Sequence, residues 1–409
     1  MLLQNKIAVI GCAMPSQKSP PCFSTELSRR AFVTRMIAGS AMALLPAASR
    51  AVELATTPVP TREHDAKRLK ILVLGGTRYV GPAIVRESLA RNHEVTLFNR
   101  GKSQPELFRG LERLRGNRFP EVKPGLAALE GTRTWDVVID IPAYYPRLVE
   151  ATARLLEPRA AHYIVMSSIS AYADFKTVGL HEESPVRPVA ESFEEKEDLT
   201  MGDWPTYGGR KAACERTAAR VFDGRFAAVR AHSIIGGTTD ADDTTRYWPA
   251  RIARGGRILA PGDGTDGFQA VDVGDVAKLI LTIAERRWRG VFNAVAPGEP
   301  ATFRDYLEAC IQAVGSRPEI RWLSAKEMER FGVTRVQTPQ WAPSAQVPGF
   351  ARISSAKARK RGWTTQPLVA SVAANWLYFR ENFSPDYDFQ ATETGLSPRR
   401  EQEILAALG

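Results

Sequence analysis

An α/β fold, a doubly wound parallel sheet with helices on both faces, is what this 409-residue sequence predicts. Three observations predict it. Short apolar runs recur at residues 71–74, 93–98, 135–140 and 162–166, the pattern of strands buried on both faces. Apolar residues at helical spacing separate several of them, for example Leu148, Ala151, Leu155 and Leu156. The first strand then runs through a glycine turn into a helix, Leu69-Lys-Ile-Leu-Val-Leu-Gly-Gly-Thr-Arg-Tyr-Val-Gly81. Strand, tight turn and helix bring backbone N–H groups and a helix N-terminus up to a pyrophosphate.

Taken in order, Ile71 to Leu74 form the buried strand, and Gly75 and Gly76 let the turn close against a ligand. Gly81 lets the following helix (Val80, Ile84, Val85, Leu89) lie close on the sheet. The second strand, His93-Glu-Val-Thr-Leu-Phe98, ends in Asn99-Arg100-Gly101-Lys102. Trp135-Asp-Val-Val-Ile-Asp140 is another strand, and His162-Tyr-Ile-Val-Met166 leads into Ser167-Ser168. The carboxyl ends of such strands face the ligand crevice, which puts Ser168 there. Tyr207-Gly-Gly-Arg-Lys211 opens a helical run to residue 221. A tyrosine and a lysine four apart point the same way, one turn apart. Phe226-Ala-Ala-Val-Arg230 is a further strand.

A phenol, with a pKa near ~10, is a poor base at neutral pH. A nearby ammonium favours the phenolate, and proton transfer is best when the catalytic pKa lies near the working pH. Tyr207 is therefore the candidate acid/base on a substrate hydroxyl or carbonyl, with Lys211 tuning it.

In this order the segments resemble the extended short-chain dehydrogenase/reductase superfamily, the group of NAD-dependent epimerases and dehydratases that includes the nucleotide-sugar enzymes. The resemblance runs from about residue 69 to about 380 and takes in Leu259-Ala-Pro-Gly262 and Val271-Asp-Val-Gly-Asp-Val-Ala277. It implies a Rossmann-type sheet with a smaller C-terminal substrate-binding subdomain, and the catalytic set Ser168, Tyr207 and Lys211. Under it, Lys211 also holds the nicotinamide ribose, and Ser168 donates a hydrogen bond to the reacting substrate oxygen. The expected cofactor contacts are Gly75, Gly76, Thr77, Arg78, Tyr79, Val80 and Gly81 in the turn, and Asn99, Arg100 and Lys102 after the second strand. Asp140, Ile141, Pro142, Tyr207 and Lys211 complete that set.

Three departures from the family pattern stand out. Arg78 occupies the place of the middle glycine, and Asp140 stands where a more apolar or histidine-containing run is usual. Phe268-Gln-Ala-Val precedes Asp272, where sugar-nucleotide enzymes often carry an arginine. Arg78 and Leu97-Phe-Asn-Arg-Gly101 look like an atypical branch that includes plastid stem-loop RNA-binding proteins. An NAD-selective site places an acid after the second strand for the ribose 2′-hydroxyl. Here there is none, so NADP is expected in preference to NAD. Arg78 and Arg100 would clasp its 2′-phosphate, with Lys102 nearby.

The N-terminus carries a second signal. Ser28-Arg-Arg-Ala-Phe32 closely resembles a twin-arginine export motif. The small-residue apolar run 36–45 that follows is too short for a membrane span of roughly 20 residues. Ser49-Arg-Ala51 is the best cleavage site, so the mature protein is expected to begin near Val52, outside the cytoplasm, in the periplasm or beyond. The expected organisation is a signal peptide over 1–51, a linker over 52–68 and a nucleotide-binding domain over 69–235. Interleaved substrate-binding elements occupy 236–380, and a tail of unassigned role 381–409.

Asp174 to Thr206 is charged and weakly periodic, either an insertion over the site or a solvated loop. Arg246, Tyr247 and Arg251 lie at helical spacing and are candidate substrate contacts, with exposed ion pairing as the alternative. Residues 300–345 read as a small helical cap with Phe303, Tyr306, Leu307 and Cys310 inward, and Trp376 and Phe379 as part of a helix packed back on the fold.

Residues 1–60 hold six Lys/Arg and two Asp/Glu, so about +6 of the formal +10 remains for the rest, a bias suited to a phosphate-bearing ligand. Cys214 and Cys310 read as packing residues, and the five histidines form no cluster, so no metal is expected. The expected partners are a small-molecule substrate and the twin-arginine export machinery, without nucleic acid or stable membrane insertion; a homodimer is left open. The resulting expectation is an exported NAD(P)-dependent oxidoreductase or epimerase/dehydratase acting on a hydroxylated, sugar-like or nucleotide-sugar substrate. The alternative is a non-catalytic nucleotide- or RNA-binding protein on the same scaffold.

Overall fold

The computed structural model describes residues 67–195, 204–237, 243–296 and 301–409. The segment expected to be a twin-arginine signal, with its expected cleavage site, linker residues 52–66 and residues 196–203 of the charged segment lie outside the described residues. In chain order the first elements are β1 (Lys70–Leu74), α1 (Gly81–Ala90), β2 (Glu94–Asn99), β3 (Glu112–Arg115) and β4 (Val137–Asp140). Next come α2 (Pro146–Leu156), β5 (Tyr163–Ser168), α3 (Trp204–Val221), β6 (Phe226–Ala231) and β7 (Ile234–Ile235). They continue with α4 (Asp243–Ala253), β8 (Arg257–Pro261), β9 (Gly267–Phe268), β10 (Val271–Asp272), α5 (Val273–Arg286) and β11 (Gly290–Ala294). The C-terminal part holds β12 (Ala301–Thr302), α6 (Phe303–Val314), β13 (Glu319–Leu323), α7 (Ala325–Phe331), α8 (Ala356–Arg359), α9 (Leu368–Asn382) and α10 (Pro398–Leu408).

Seven parallel strands form the central sheet in the order β11-β6-β5-β4-β1-β2-β3. The winding reverses between β1 and β4, and a ligand crevice opens outside the carboxyl ends of strands at such a point. The strand period of two explains why β1 is apolar throughout. Ile71 and Val73 pack on one face with Ile84, Val85, Val276 and Ile280, whereas Leu72 and Leu74 pack on the other with Val149, Ala153 and Phe222. Each such buried side chain contributes roughly 1.5–3 kcal/mol relative to exposure. Helix α5 shows how the cover is built: Asp272 caps its N-terminus by accepting from the Gly274 N–H, and Val276, Ile280 and Ile283 point into the core.

Two strands of the sheet are weak in the sequence. β3 reads Glu-Arg-Leu-Arg and lies at the edge, where one partner strand and an ion pair from Arg133 to Glu112 suffice. β11 returns to the sheet after α5, beside β6.

The remaining elements pack around a separate aromatic cluster that contains Tyr247, Trp248, Phe303, Tyr306, Phe379 and Phe389. Phe303, Tyr306, Leu307 and Cys310 face inward as expected. The 300–345 segment is less purely helical than expected, because β13 pairs in parallel with β8. The 381–409 tail packs back onto this part of the fold: Leu396 and Ile404 are buried beside Leu259, and the Glu401 carboxylate accepts from the Leu259 N–H. Cys214 and Cys310 are both buried packing residues. Among the described residues no helix is long and apolar enough to cross a membrane, and no His/Cys/Asp/Glu group could hold a metal ion.

Candidate active site

Gly75 and Gly76 both adopt positive φ (95° and 93°), the left-handed region that favours glycine. A Cβ on Gly76 would lie 2.9 Å from Leu97 Cδ2. On Gly81 it would lie 2.7 Å from the Gly76 carbonyl carbon, so Gly81 serves helix–turn packing. It does not line the cavity beside it; Thr77, Arg78, Tyr79 and Val80 do. Helix α1 has no side-chain cap at Val80, but its Gly81 N–H donates to Arg78 O (2.9 Å) and Pro82 has no N–H, so the backbone that faces a ligand is the turn itself. Asn99 ties the turn to the next loop, donating to Gly75 O (2.8 Å) and accepting from Gly101 N (2.9 Å). Arg100 and Lys102 follow on the same wall, and Ile141 and Pro142 close the opposite side of the turn.

Asp140 is a correction. Its carboxylate is fully buried, ion-paired to both ends of the Arg118 guanidinium and bonded by the Tyr163 hydroxyl at 2.6 Å. A buried carboxylate is retained only with its charge matched, and Asp140 spends its acceptors in this way. Arg118, which the sequence reading passed over, forms the cavity wall there instead.

The cavity has a volume of about 720 Å³, within the roughly 300–1,000 Å³ of small-molecule sites. Ser168, Tyr207 and Lys211 all line it, with the glycine turn. Ser168 shares a hydrogen bond with the Tyr207 hydroxyl, and its own Oγ accepts from Ser170 N (3.1 Å). Burial drives the Tyr207 phenol above its ordinary pKa, aided by Tyr144; the Ser168 bond and the Arg210 charge oppose it. Lys211 is also buried, which depresses its ammonium. Its Nζ donates to Ala143 O (2.9 Å) and Met166 O (2.5 Å). A lysine carries three donors, so these bonds hold Lys211 in place and leave one for a ligand.

Arg246, Tyr247 and Arg251 are a second correction: none of them lines this cavity. Arg246 is buried against Asp243 (3.2 Å) with its guanidinium 4.4 Å from the Phe383 ring centroid. The Tyr247 hydroxyl accepts from Leu396 N (3.1 Å), and Arg251 pairs with Glu401 (2.6 Å). They anchor the C-terminal tail. Helix α4 is covered on most of its surface, so helical spacing alone did not reveal its cavity-facing residue, Thr245. Exposed ion pairing, the alternative, does not hold either: Arg246 and Arg251 are ion-paired, but inside the fold.

Sequence reading also missed Tyr144, His232, Ser233, Arg335, Gln340 and Phe350 in the lining. His232 accepts from Ser233 N at Nδ1, so its Nε2–H donates to Phe350 O (2.8 Å). Burial pulls its pKa down to about 4, keeping the ring neutral. The described part of the 174–206 segment contributes nothing to the lining. Its Phe193 stacks on Tyr145, and the Arg210 guanidinium lies near both rings.

A doubly wound sheet with a glycine turn, and a Tyr-x-x-x-Lys helix facing a strand-end serine across one cavity, define an enzyme of the short-chain dehydrogenase/reductase type, an oxidoreductase or epimerase. The chain belongs to the NAD dependent epimerase/dehydratase family, whose profile matches residues 71–294. Its cofactor class is accordingly a nicotinamide dinucleotide, and the positive-φ glycine turn lining the cavity fits one. The chain is 27% identical over 352 residues to the chloroplast stem-loop binding protein of 41 kDa b of Arabidopsis thaliana, covering 81% of this chain and 85% of that protein. It is 28% identical over 255 residues to 2'-dehydrokanamycin reductase of Streptomyces kanamyceticus, covering 60% and 67%. Among solved structures, UDP-glucose 4-epimerase of Thermotoga maritima superposes with a TM-score of 0.55 at 18% identity, over 76% of this chain and 98% of that one.

Proposed function

We propose that this protein is an exported, NADP-preferring oxidoreductase or epimerase that acts on a hydroxylated, sugar-like or nucleotide-sugar substrate. The observation that carries the reading is the meeting of Ser168, Tyr207 and Lys211 with the glycine turn in one cavity. When bound, the nicotinamide supplies hydride transfer. Ser168 and Tyr207 hydrogen-bond the substrate oxygen, and Tyr207 passes the proton to or from it. Because burial favours the neutral phenol, Tyr207 is poised as the acid, giving its proton to a carbonyl oxygen. Lys211, fixed by two carbonyls, uses its third donor on the cofactor ribose. Arg78, Arg100 and Lys102 supply charge for a 2′-phosphate. A substrate of sugar type accords with the Thermotoga epimerase, solved with UDP-glucose, and with a relative named for reducing 2'-dehydrokanamycin.

The first test is mass spectrometry of nucleotide released from denatured protein, followed by a panel of nucleotide sugars and free sugars. Release of NADP, with turnover lost in Tyr207→Phe, supports the reading; near-normal turnover of Tyr207→Phe on a true substrate overturns the mechanism. Export by the twin-arginine route rests on Arg29-Arg30 and the small-residue run after it. Fractionation of cells expressing the Arg29→Lys, Arg30→Lys double variant tests it, since undiminished export of that variant is incompatible with the route.

A second reading, RNA binding, is favoured by the stem-loop binding relative. The exposed Arg286 and Arg289, with Arg359, Lys360 and Arg361, offer it a basic surface around the half-buried Trp288. Gel-shift titration with stem-loop RNA decides it: salt-sensitive binding supports this reading, and its absence at micromolar protein removes it.

A further inference from the structure

Two adjacent tyrosines meet two adjacent cations beside the cavity. Strand β4 ends at Asp140, and the chain turns tightly after it, with Tyr144 N donating to Pro142 O (3.0 Å). Pro146 opens helix α2 and holds Tyr145 before it in an extended conformation (φ −128°, ψ 125°). Tyr145 is fully buried and stacks on Phe193, with the Arg210 guanidinium 5.1 Å from its ring centroid. Tyr144 is only half-buried and lines the cavity. There its ring lies 6.2 Å from the Tyr207 ring, centroid to centroid, and the Lys211 ammonium stands over it at 5.1 Å. One side chain thus lies beside both members of the Tyr-x-x-x-Lys pair.

Lys211 needs such a neighbour. It is 2% exposed, and a buried charge is ordinarily kept only with an opposite charge beside it. Among the described residues Lys211 makes no ion pair, because the carboxylates around it are spent on arginines. Asp140 on β4 pairs with Arg118 (2.7 Å), and Glu215, one turn along α3, pairs with Arg230 (2.7 Å) and accepts from the Ser167 hydroxyl. On the same helix Arg210 repels the ammonium, and burial pushes the Cys214 thiol up to about 12 and keeps it neutral, as it keeps the Tyr207 phenol. What remains is two carbonyls, Ala143 O (2.9 Å) and Met166 O (2.5 Å), and the ring of Tyr144. A ring within about 6 Å attracts a cation through its quadrupole, enough to shift an ammonium/amine equilibrium by roughly 2- to 30-fold.

We propose that Tyr144 is a positioning residue for the reacting pair: its ring holds the Lys211 side chain as a charged ammonium beside Tyr207. The π face supplies the negative potential that a carboxylate supplies elsewhere. Unlike a carboxylate, it sets no full negative charge against the phosphates of an incoming dinucleotide. The ring, rather than the phenol oxygen, is the working part. This inference rests on the oxidoreductase reading for what Lys211 then does, but the state of Lys211 is measurable by itself.

The experiment is an NMR titration of full-length protein carrying lysine labelled at the ε carbon, with the Lys211 resonance assigned by its loss in Lys211→Met. Tyr144→Phe keeps the ring and should leave the Lys211 midpoint within about 0.2 pH units of the parent. Phenylalanines with one, two and three ring fluorines, placed at position 144 by nonsense suppression, keep the shape and burial while draining the negative face. The midpoint should fall with each fluorine, by about 0.4 pH units or more in total. NADP affinity at pH 9 should weaken in step, because less of Lys211 is then charged. A midpoint that stays level across the fluorine series, or one that falls as far in Tyr144→Phe as with three fluorines, overturns the proposal. A falling midpoint with NADP affinity unmoved, or with no NADP binding at all, supports the part given to Tyr144 and counts against the oxidoreductase reading of Lys211 alone.

Discussion

Arg118 holds Asp140 through both ends of its guanidinium, Nη1 to Oδ1 at 2.7 Å and Nη2 to Oδ2 at 3.0 Å, with neither residue more than 4% exposed. The pair stands at the carboxyl end of β4, between the cavity wall and the sheet, and Tyr163 completes it from β5. One charge on the cavity wall is thereby matched from behind.

Removing one partner leaves a buried, uncompensated charge. Arg118→Ala is expected to cost about 3–5 kcal/mol of stability, read as a lower urea midpoint. Asp140→Asn should be destabilising as well, because it leaves the Arg118 guanidinium buried without its counter-charge and turns an NH2 toward donors. If Arg118→Ala unfolds at the parental midpoint, the pair is not the structural element described here.

Tyr207→Phe keeps the ring and loses only the oxygen. Turnover should fall by about 100- to 10,000-fold, with cofactor affinity largely unchanged in a fluorescence titration. Lys211→Ala should impair both, since it also empties the donor positions on Ala143 O and Met166 O.

The pH profile of reduction follows from the direction of the Tyr207 shift. Burial raises the phenol above its usual value near ~10, so the proton-donating form persists through pH ~9. His232, held neutral with its pKa about 4, adds no step between pH 6 and 8. The reductive kcat should therefore stay level across that range. An inflection near neutrality would contradict the assignment.

Stability should respond to acid through two buried histidines. Burial lowers both His162 and His232 to about 4, with Arg287 and Arg289 adding to the effect at His162. Between the unfolded value near ~6.5 and pH ~4 the unfolded chain binds more protons, so stability falls as pH falls through that window. Denaturant midpoints at pH 7, 5.5 and 4.5 should decrease in that order, and His232→Asn should flatten the trend.

Cofactor choice should depend on Arg78 and Arg100. The Arg78→Ala, Arg100→Ala double variant is expected to lose preference for NADP over NAD by at least about tenfold, since charge-assisted bonds are roughly twice as strong as neutral ones. Equal selectivity in parent and variant would show that the 2′-phosphate is not read there.

Local chemistry alone determined a good deal of this protein. The apolar run 71–74, the paired glycines with positive φ and the four-residue spacing of Tyr207 and Lys211 each carry their consequence within a few residues. Strand period, glycine's conformational freedom and helix pitch act over that distance. The sheet, the turn and the catalytic candidates were therefore legible. Tertiary structure decided what depended on partners far along the chain. Asp140 looked like a cofactor contact until Arg118 and Tyr163 closed on it. Arg246, Tyr247 and Arg251 looked like a substrate face until the tail, through Leu396 and Glu401, buried them. β3 was invisible because an edge strand needs little apolar surface. Arg335 and Gln340 share no local pattern with Tyr207; only packing brings them to the same cavity. Charged and polar side chains read alike in a sequence whether they face a ligand or a buried partner. Which of the two they meet is settled by desolvation, and that exists only once the chain has folded.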